Sequence, residues 1–392
     1  AASDVYKRQP AYSAGFARWR SVKNEFQDWE RDGVHTTARG TMRLDLATAH
    51  QEHDPYAPNS FHGHSFYNGG AYLVGEAVSP ILPTEFGFTE AVVSWNVDTP
   101  PGTWTETEIR ARLNDHWTKW YNLGVWASDA SIVERHSVGA QRDADGIVDV
   151  DTLVLHVASA PADALQLKIR LFSADGVAAP SIQNVAVAYS TPPIKAQAPS
   201  PGDPGKWGRT LPVRECSQMV YPDGGEVWCS PTSTSMVLAY WARENRGCMS
   251  GVRAAVAGVY DWFYDGHGNW PFNTAYAATR DWKSATPGHG GRGWTRSPIR
   301  RVRGKKLEGY VARFTGLDQA EEWIASGVPV IVSLSWNAGT LTGAPFVASS
   351  GHLAVLVGFD NAGNPVVNDP GAPSNALVQR TYLRAEFEPL WL

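Results

Sequence analysis

Hydrophobic and polar positions follow two different rhythms along this chain. From about residue 12 to residue 191 the dominant period is two. Thr103-Trp-Thr-Glu-Thr-Glu-Ile-Arg-Ala-Arg112 changes face at every step, the spacing of a half-buried strand. Residues 91–97, 120–126, 153–157, 165–172 and 182–189 are further short runs that read as strands, separated by Asp, Gly and Pro. Few helical runs lie between them. The pattern predicts an antiparallel, jelly-roll-like β-sandwich over residues 10–191.

After residue 208 the rhythm changes. Residues 231–245 read as a helix, with Pro231 near its first turn, Gly247 past its end, and Arg243 and Arg246 flanking that end. Met236 to Trp241 are apolar on nearly every side, which predicts a helix lying deep in its domain. Asp318-Gln-Ala-Glu321 reads as a capping box opening a second helix that stops at Gly327. Strands are predicted at 328–336, 352–359 and 365–368. A helix followed by strands gives an α+β domain over residues 209–392. Between the two regions, residues 192–208 hold five prolines and three glycines, the composition of a stiff, extended linker. No internal repeat is visible.

Composition adds limits rather than detail. A chain of 392 residues exceeds one ordinary core, which supports two domains. With 43% hydrophobic residues and 17 Trp it is a folded chain, not a disordered one. A formal charge of −5 gives no attraction to nucleic acid. No apolar run approaches the roughly 18 residues needed to span a bilayer. Residues 1–9 resemble translated adapter sequence, so a true start and a signal peptide are expected to lie upstream; the last residues, Trp391-Leu392, end without a polar tail.

Candidate chemistry gathers in the second region. Cys229 opens the helical run, where the positive end of a helix favours thiolate over thiol. Gln218, eleven positions earlier, could donate to an oxyanion formed when that thiolate attacks a carbonyl. The alternative for Cys229 is a small buried core residue. A thiol nucleophile needs an imidazole base, and after the linker only His267, His289 and His352 can supply one. His289 lies in a glycine-rich stretch and His267 in a turn, whereas His352 begins a buried strand. A hairpin through 360–364 returns Asn368-Asp369 close to His352. Cross-strand partners share a face, so an odd register sum puts Asp369 on the histidine's side and an even sum puts Asn368 there. Both stay open. If Cys229 is a free nucleophile, Cys216 and Cys248 are left as a candidate disulfide, favoured by an extracellular setting.

These residues resemble a known family. Gln218, Trp228-Cys229-Ser-Pro-Thr-Ser, Gly351-His352-Leu-Ala-Val-Leu-Val-Gly-Phe and Val-Val-Asn368-Asp369-Pro occur in the order used by papain-like cysteine peptidases. More narrowly they are similar to the bacteriocin-leader-processing peptidases (family thirty-nine) and their free-standing secreted relatives. The family motif has Gly where Ser230 stands. The run from Gly258 to Tyr276 and the β-rich first region look like actinobacterial members. The resemblance implies Cys229 as nucleophile, His352 as base, Asp369 as orienting group and Gln218 as oxyanion donor. It further implies a polypeptide substrate, a thioacyl intermediate, no metal, no cofactor and an extracellular location.

Weaker signals have plainer alternatives. The acidic run Asp143 to Asp151 has the density of a calcium loop but reads better as a hairpin turn. His62-Gly-His64 lacks a third zinc ligand nearby. Trp104, Trp117, Trp120 and Trp126 could stack on a glycan or simply fill a core. Trp228, Trp270 and Asn368 could line a substrate groove. Two competing functions share these features: a thiol amidase or acyltransferase acting on cell-wall peptide, and a catalytically silent glycan-binding protein.

Overall fold

Two antiparallel sheets face each other across one core between residues 14 and 190. The computed structural model describes residues 12–114, 116–156, 161–192, 199–242, 247–280 and 306–390. One sheet has seven strands built around Glu90–Asp98 and Ser181–Ser190; the other has eight, built around Thr103–Leu113 and Ala162–Ser173. The alternation along Thr103–Leu113 sends Ile109, Ala111 and Leu113 inward, where they share a core with Ala91, Val93 and Trp95 of the facing sheet. Strands Ala14–Arg20, Ala71–Val78 and Leu82–Phe88 are among those that flank them. The acidic run forms the hairpin Gly146–Asp149/Thr152–Leu155. Trp104 and Trp126 are fully buried, and Trp117 and Trp120 both pack on the Arg110 guanidinium. The proposed glycan platform is therefore not formed as four exposed rings.

The second half places helices ahead of an antiparallel sheet. Among the described residues the helices ahead of the main strands are α1 (Cys229–Ala242), α2 (Cys248–Val259), α3 (Trp270–Ala278) and α4 (Leu317–Ala325), and a single turn, α5 (Arg384–Phe387), follows the sheet. The sheet has five strands, with Ser349–Phe359 between Val330–Trp336 and Pro365–Asn368. Helices α2 and α3 were not anticipated, although signals for both exist. Val252, Ala255 and Val259 make one apolar face of α2. The Asn269 side chain caps α3 by accepting the Phe272 N–H at 3.1 Å, and Pro271 sits in its first turn. Among the described residues no helix is long and apolar enough to cross a membrane.

Two expectations are corrected. Helix α1 is not deep along its apolar stretch. Its polar first turns, Ser230 to Met236, are buried, while Val237 to Ala242 are only half-buried. Three of the five hydroxyls there have partners: Ser233 donates to the Leu353 carbonyl at 3.1 Å, Thr234 to Asn273 Oδ1 at 2.9 Å and Ser235 to the Thr232 carbonyl at 2.9 Å, while those of Ser230 and Thr232 are buried without a hydrogen bond. The capping box is also absent, because α4 starts at Leu317 with Gly316 at its N-cap. Glu321 is instead fully buried and accepts from Asp203 N at 2.7 Å, Trp207 Nε1 at 2.9 Å and Arg384 Nη1 at 2.7 Å. A buried carboxylate needs such donors. They dock the second half of the proline-rich segment onto the α+β half. The predicted stop at Gly327 holds, with φ of +84°.

The second half has a core of its own, running from Leu211 to Phe387, and also contributes two helices to the core of the sandwich. Ala255 and Val259 of α2, with Phe272, Ala275 and Tyr276 of α3, join the apolar cluster of the sandwich. Phe272 packs against Trp126, ring centroids 5.4 Å apart, and lies over Gly124, where a φ of +137° favours glycine and a Cβ would meet the Phe272 ring at 3.1 Å. Polar ties run beside it. Asp151 accepts the Trp270 N–H at 2.6 Å, and Asp261 accepts the Ser137 N–H at 2.9 Å. His64, considered above for zinc, pairs with Glu134 and stacks on Trp262 at 4.0 Å.

Candidate active site

Three elements bring the candidate residues together. Cys229 opens α1, so its sulfur meets the unsatisfied N–H groups of a 14-residue helix. His352 lies on Ser349–Phe359, opposite Leu334. Asp369 follows Pro365–Asn368. Near the turn the register of that hairpin pairs Phe359 with Pro365 and Gly358 with Val366; beyond a bulge it pairs Leu356 with Val367 and Val355 with Asn368. The sum is even at the turn and odd at the site. The single extra residue, Val357, thus turns Asp369 rather than Asn368 to the histidine's face.

The geometry follows that register. His352 Nε2 bonds Asp369 Oδ1 at 2.7 Å, with both side chains almost wholly buried. The carboxylate has two more donors, Gly371 N at 2.9 Å to Oδ1 and Tyr382 Oη at 2.6 Å to Oδ2. Trp336 and Phe346 meet the imidazole edge to face, with centroids at 5.5 and 5.6 Å. With Nε2 committed to Asp369, Nδ1 is the ring nitrogen left to act on Cys229, and His352 and Cys229 lie close enough to shift each other's titration.

The charges are coupled. Burial pushes the Cys229 thiol up, but the bond and charge of His352, with backbone N–H groups of Leu353 and Ser230, outweigh it and hold the thiol below its ordinary value. Burial lowers the His352 imidazole, yet Asp369 and Cys229 together raise it to about 10. Burial also raises the Asp369 carboxyl, and His352, Tyr382 and Gly371 bring it below the usual carboxylate range. All three net directions favour an ionised thiol, a protonated imidazole and a carboxylate.

The other candidates are placed differently. Gln218 is buried, and its N–H donates to the Pro370 carbonyl at 2.8 Å, directly after Asp369. Its Nε2 donates to the carbonyls of Gly225 at 2.8 Å and Glu226 at 3.1 Å, so neither hydrogen is free in this state. Its Oε1 is buried without a hydrogen bond. Asn368 does not line a groove: it is fully buried, and Nδ2 donates to Val213 and Arg214 carbonyls at 3.1 and 3.3 Å. Trp228 packs among Tyr221, His267 and Arg253. Trp270 instead lines a mostly apolar cavity of about 310 Å³ beside α1, which none of Cys229, His352 and Asp369 borders. Cys216 and Cys248 form a disulfide, leaving Cys229 as the free cysteine. His289 lies outside the described residues, as do Arg243, Arg246 and Val157. Tyr382, Trp336 and Phe346 were missed; Tyr382 and Trp336 lie on other strands or beyond them, and Phe346, though near His352 in sequence, sits in the loop before its strand and carries no motif.

Comparison with known proteins agrees with this division of the chain. The model of the Peptidase C39 N-terminal domain matches residues 15–190, and that of the Peptidase_C39 like family matches residues 210–392. No curated protein matches the chain. A solved structure described as concerning carbohydrate-binding modules of the β-sandwich superfamily is 10% identical, with a TM-score of 0.15. That similarity covers 46% of this chain and 54% of the other. The chain belongs to the C39-type peptidases, a C39-like peptidase domain preceded by the family's N-terminal domain.

Proposed function

We propose that this peptidase is of the cysteine type, with a papain-like division of labour among Cys229, His352 and Asp369. The single observation that carries the reading is the buried His352–Asp369 bond of 2.7 Å, on an imidazole near enough to the helix-start thiol for each to shift the other's titration. The Cys229 thiolate attacks the carbonyl carbon of a peptide bond. The resulting oxyanion collapses, the C–N bond breaks, and the His352 imidazolium gives its proton to the leaving amine. Water then attacks the thioester, His352 takes its proton, and the thiolate leaves, releasing the carboxylic acid. Asp369 keeps the imidazole oriented throughout. The N–H of Cys229 and a Gln218 amide that gives up its longer bond, to Glu226, supply the oxyanion donors.

The expected substrate is a polypeptide. The disulfide supports an extracellular setting, since such bonds persist in oxidising compartments. Profiling with a peptide library tests the reading. Wild type should release new amino termini that Cys229→Ala does not. Hydrolysis surviving in that variant would overturn the assignment.

A further inference from the structure

We infer that Tyr382 is a positioning residue for the proposed thiol chemistry, holding Asp369 as an anion aimed at His352. The inference rests on the cysteine-peptidase reading and extends it to a residue outside every motif above. Tyr382 follows the strand Gln379–Thr381 and is tied to the sheet by its N–H, which donates to the Pro365 carbonyl at 3.0 Å. Its hydroxyl reaches Asp369 Oδ2 at 2.6 Å, while His352 and Gly371 both use Oδ1.

The consequence is a division between the two carboxylate oxygens. With Oδ2 tied to the phenol, rotation of the carboxylate about its Cβ–Cγ bond is blocked, and Oδ1 stays on the imidazole. Asp369 has no exposed surface, so water does not replace a lost donor, and a buried acceptor without its partner is costly. Charged or titratable groups facing this pair are His352 across the carboxylate and Arg380 near the phenol. The phenol itself is held far above its ordinary value, first by burial and then by Asp369, so it remains a donor at every working pH.

Tyr382→Phe removes only the hydroxyl and keeps the ring that stacks on Phe387 at 5.7 Å. The expected result is a fall in kcat of about 10-fold or more with KM little changed, since a buried phenol touches no substrate. The acid limb of Cys229 alkylation by iodoacetamide should also move to higher pH. A carboxylate missing one of three donors protonates sooner, and neutral Asp369 no longer supports the imidazolium that keeps the thiol ionised. Phe387→Leu is the structural control: it loosens the same packing, leaves the hydroxyl, and should lower Tm without moving the limb. An unmoved limb in Tyr382→Phe, or an equal movement in Phe387→Leu, would overturn the positioning role alone. A wild-type Cys229 that alkylates like an ordinary thiol would instead overturn the reading beneath it.

Discussion

Each half of the molecule buries one carboxylate under a tyrosine hydroxyl, and only one of the two networks ends at a candidate nucleophile. In the sandwich, Glu106 is 2% exposed and accepts from Tyr67 Oη at 2.6 Å and Asn122 Nδ2 at 2.7 Å, with Arg170 at 3.5 Å. In the peptidase half, Asp369 accepts from Tyr382, Gly371 and His352, and His352 leads on to Cys229. Burial and saturation of an acid therefore do not mark a site. What marks it is a titratable partner that passes the charge to a reactive atom.

That comparison is sharpest where one substitution separates chemistry from stability. Asp369→Asn should cut turnover by roughly 10³–10⁴-fold, with little change in Tm, measured as kcat and by thermal unfolding. Glu106→Gln should do the reverse, leaving kcat intact while lowering stability by about 3 kcal/mol, because Arg170 loses a buried partner. Equal effects on kcat would erase the distinction.

The shared core makes a second prediction. Phe272→Ala removes the ring of α3 that packs against Trp95 and Trp126, and should cost about 3–5 kcal/mol. Because that core belongs to both halves, unfolding should stay a single transition at a lower midpoint. Two separate transitions would show that the sandwich and the peptidase half are independent.

A smaller effect concerns pH. Burial raises Asp151 to about 6, against an ordinary value of 3.8. An acid whose folded pKa lies above its unfolded value destabilises the fold when ionised. The cost is present above pH 6 and is relieved as pH falls from 6 towards 3.8. Asp151→Asn keeps an acceptor for the Trp270 N–H and should gain roughly 1–2 kcal/mol at pH 7.5, with no gain near pH 4. Chemical denaturation at the two pH values checks the sign.

Much of this was legible in the chain. Period-two alternation located Thr103–Leu113, whose second half alternates buried and half-buried positions, whereas Glu90–Asp98 and Ser181–Ser190 are buried on both faces along most of their length and show as short apolar runs. Trp228-Cys229 and Gly351-His352 are local motifs, and they place a thiol and an imidazole close enough to affect each other's titration. What sequence left open was Asp369 against Asn368, since one bulge residue, Val357, changes the parity of the whole hairpin end. Asp318–Glu321 misled for a related reason. The pattern for a cap is local, but the partners of Glu321 come from residues 203, 207 and 384. Tyr382 belongs to the same class: its role exists only once the sheet has closed.

The rate of Cys229 alkylation against pH, in wild type and in His352→Gln, tests the central claim most directly. Wild type should react as a thiolate well below the ordinary thiol value of 9.0, because His352 outweighs burial. Its titration belongs to the coupled pair rather than to the sulfur alone. In His352→Gln burial acts unopposed by an imidazolium, and the same step should move upward past that value. Two superimposable profiles, both with a midpoint near 9, would contradict the account.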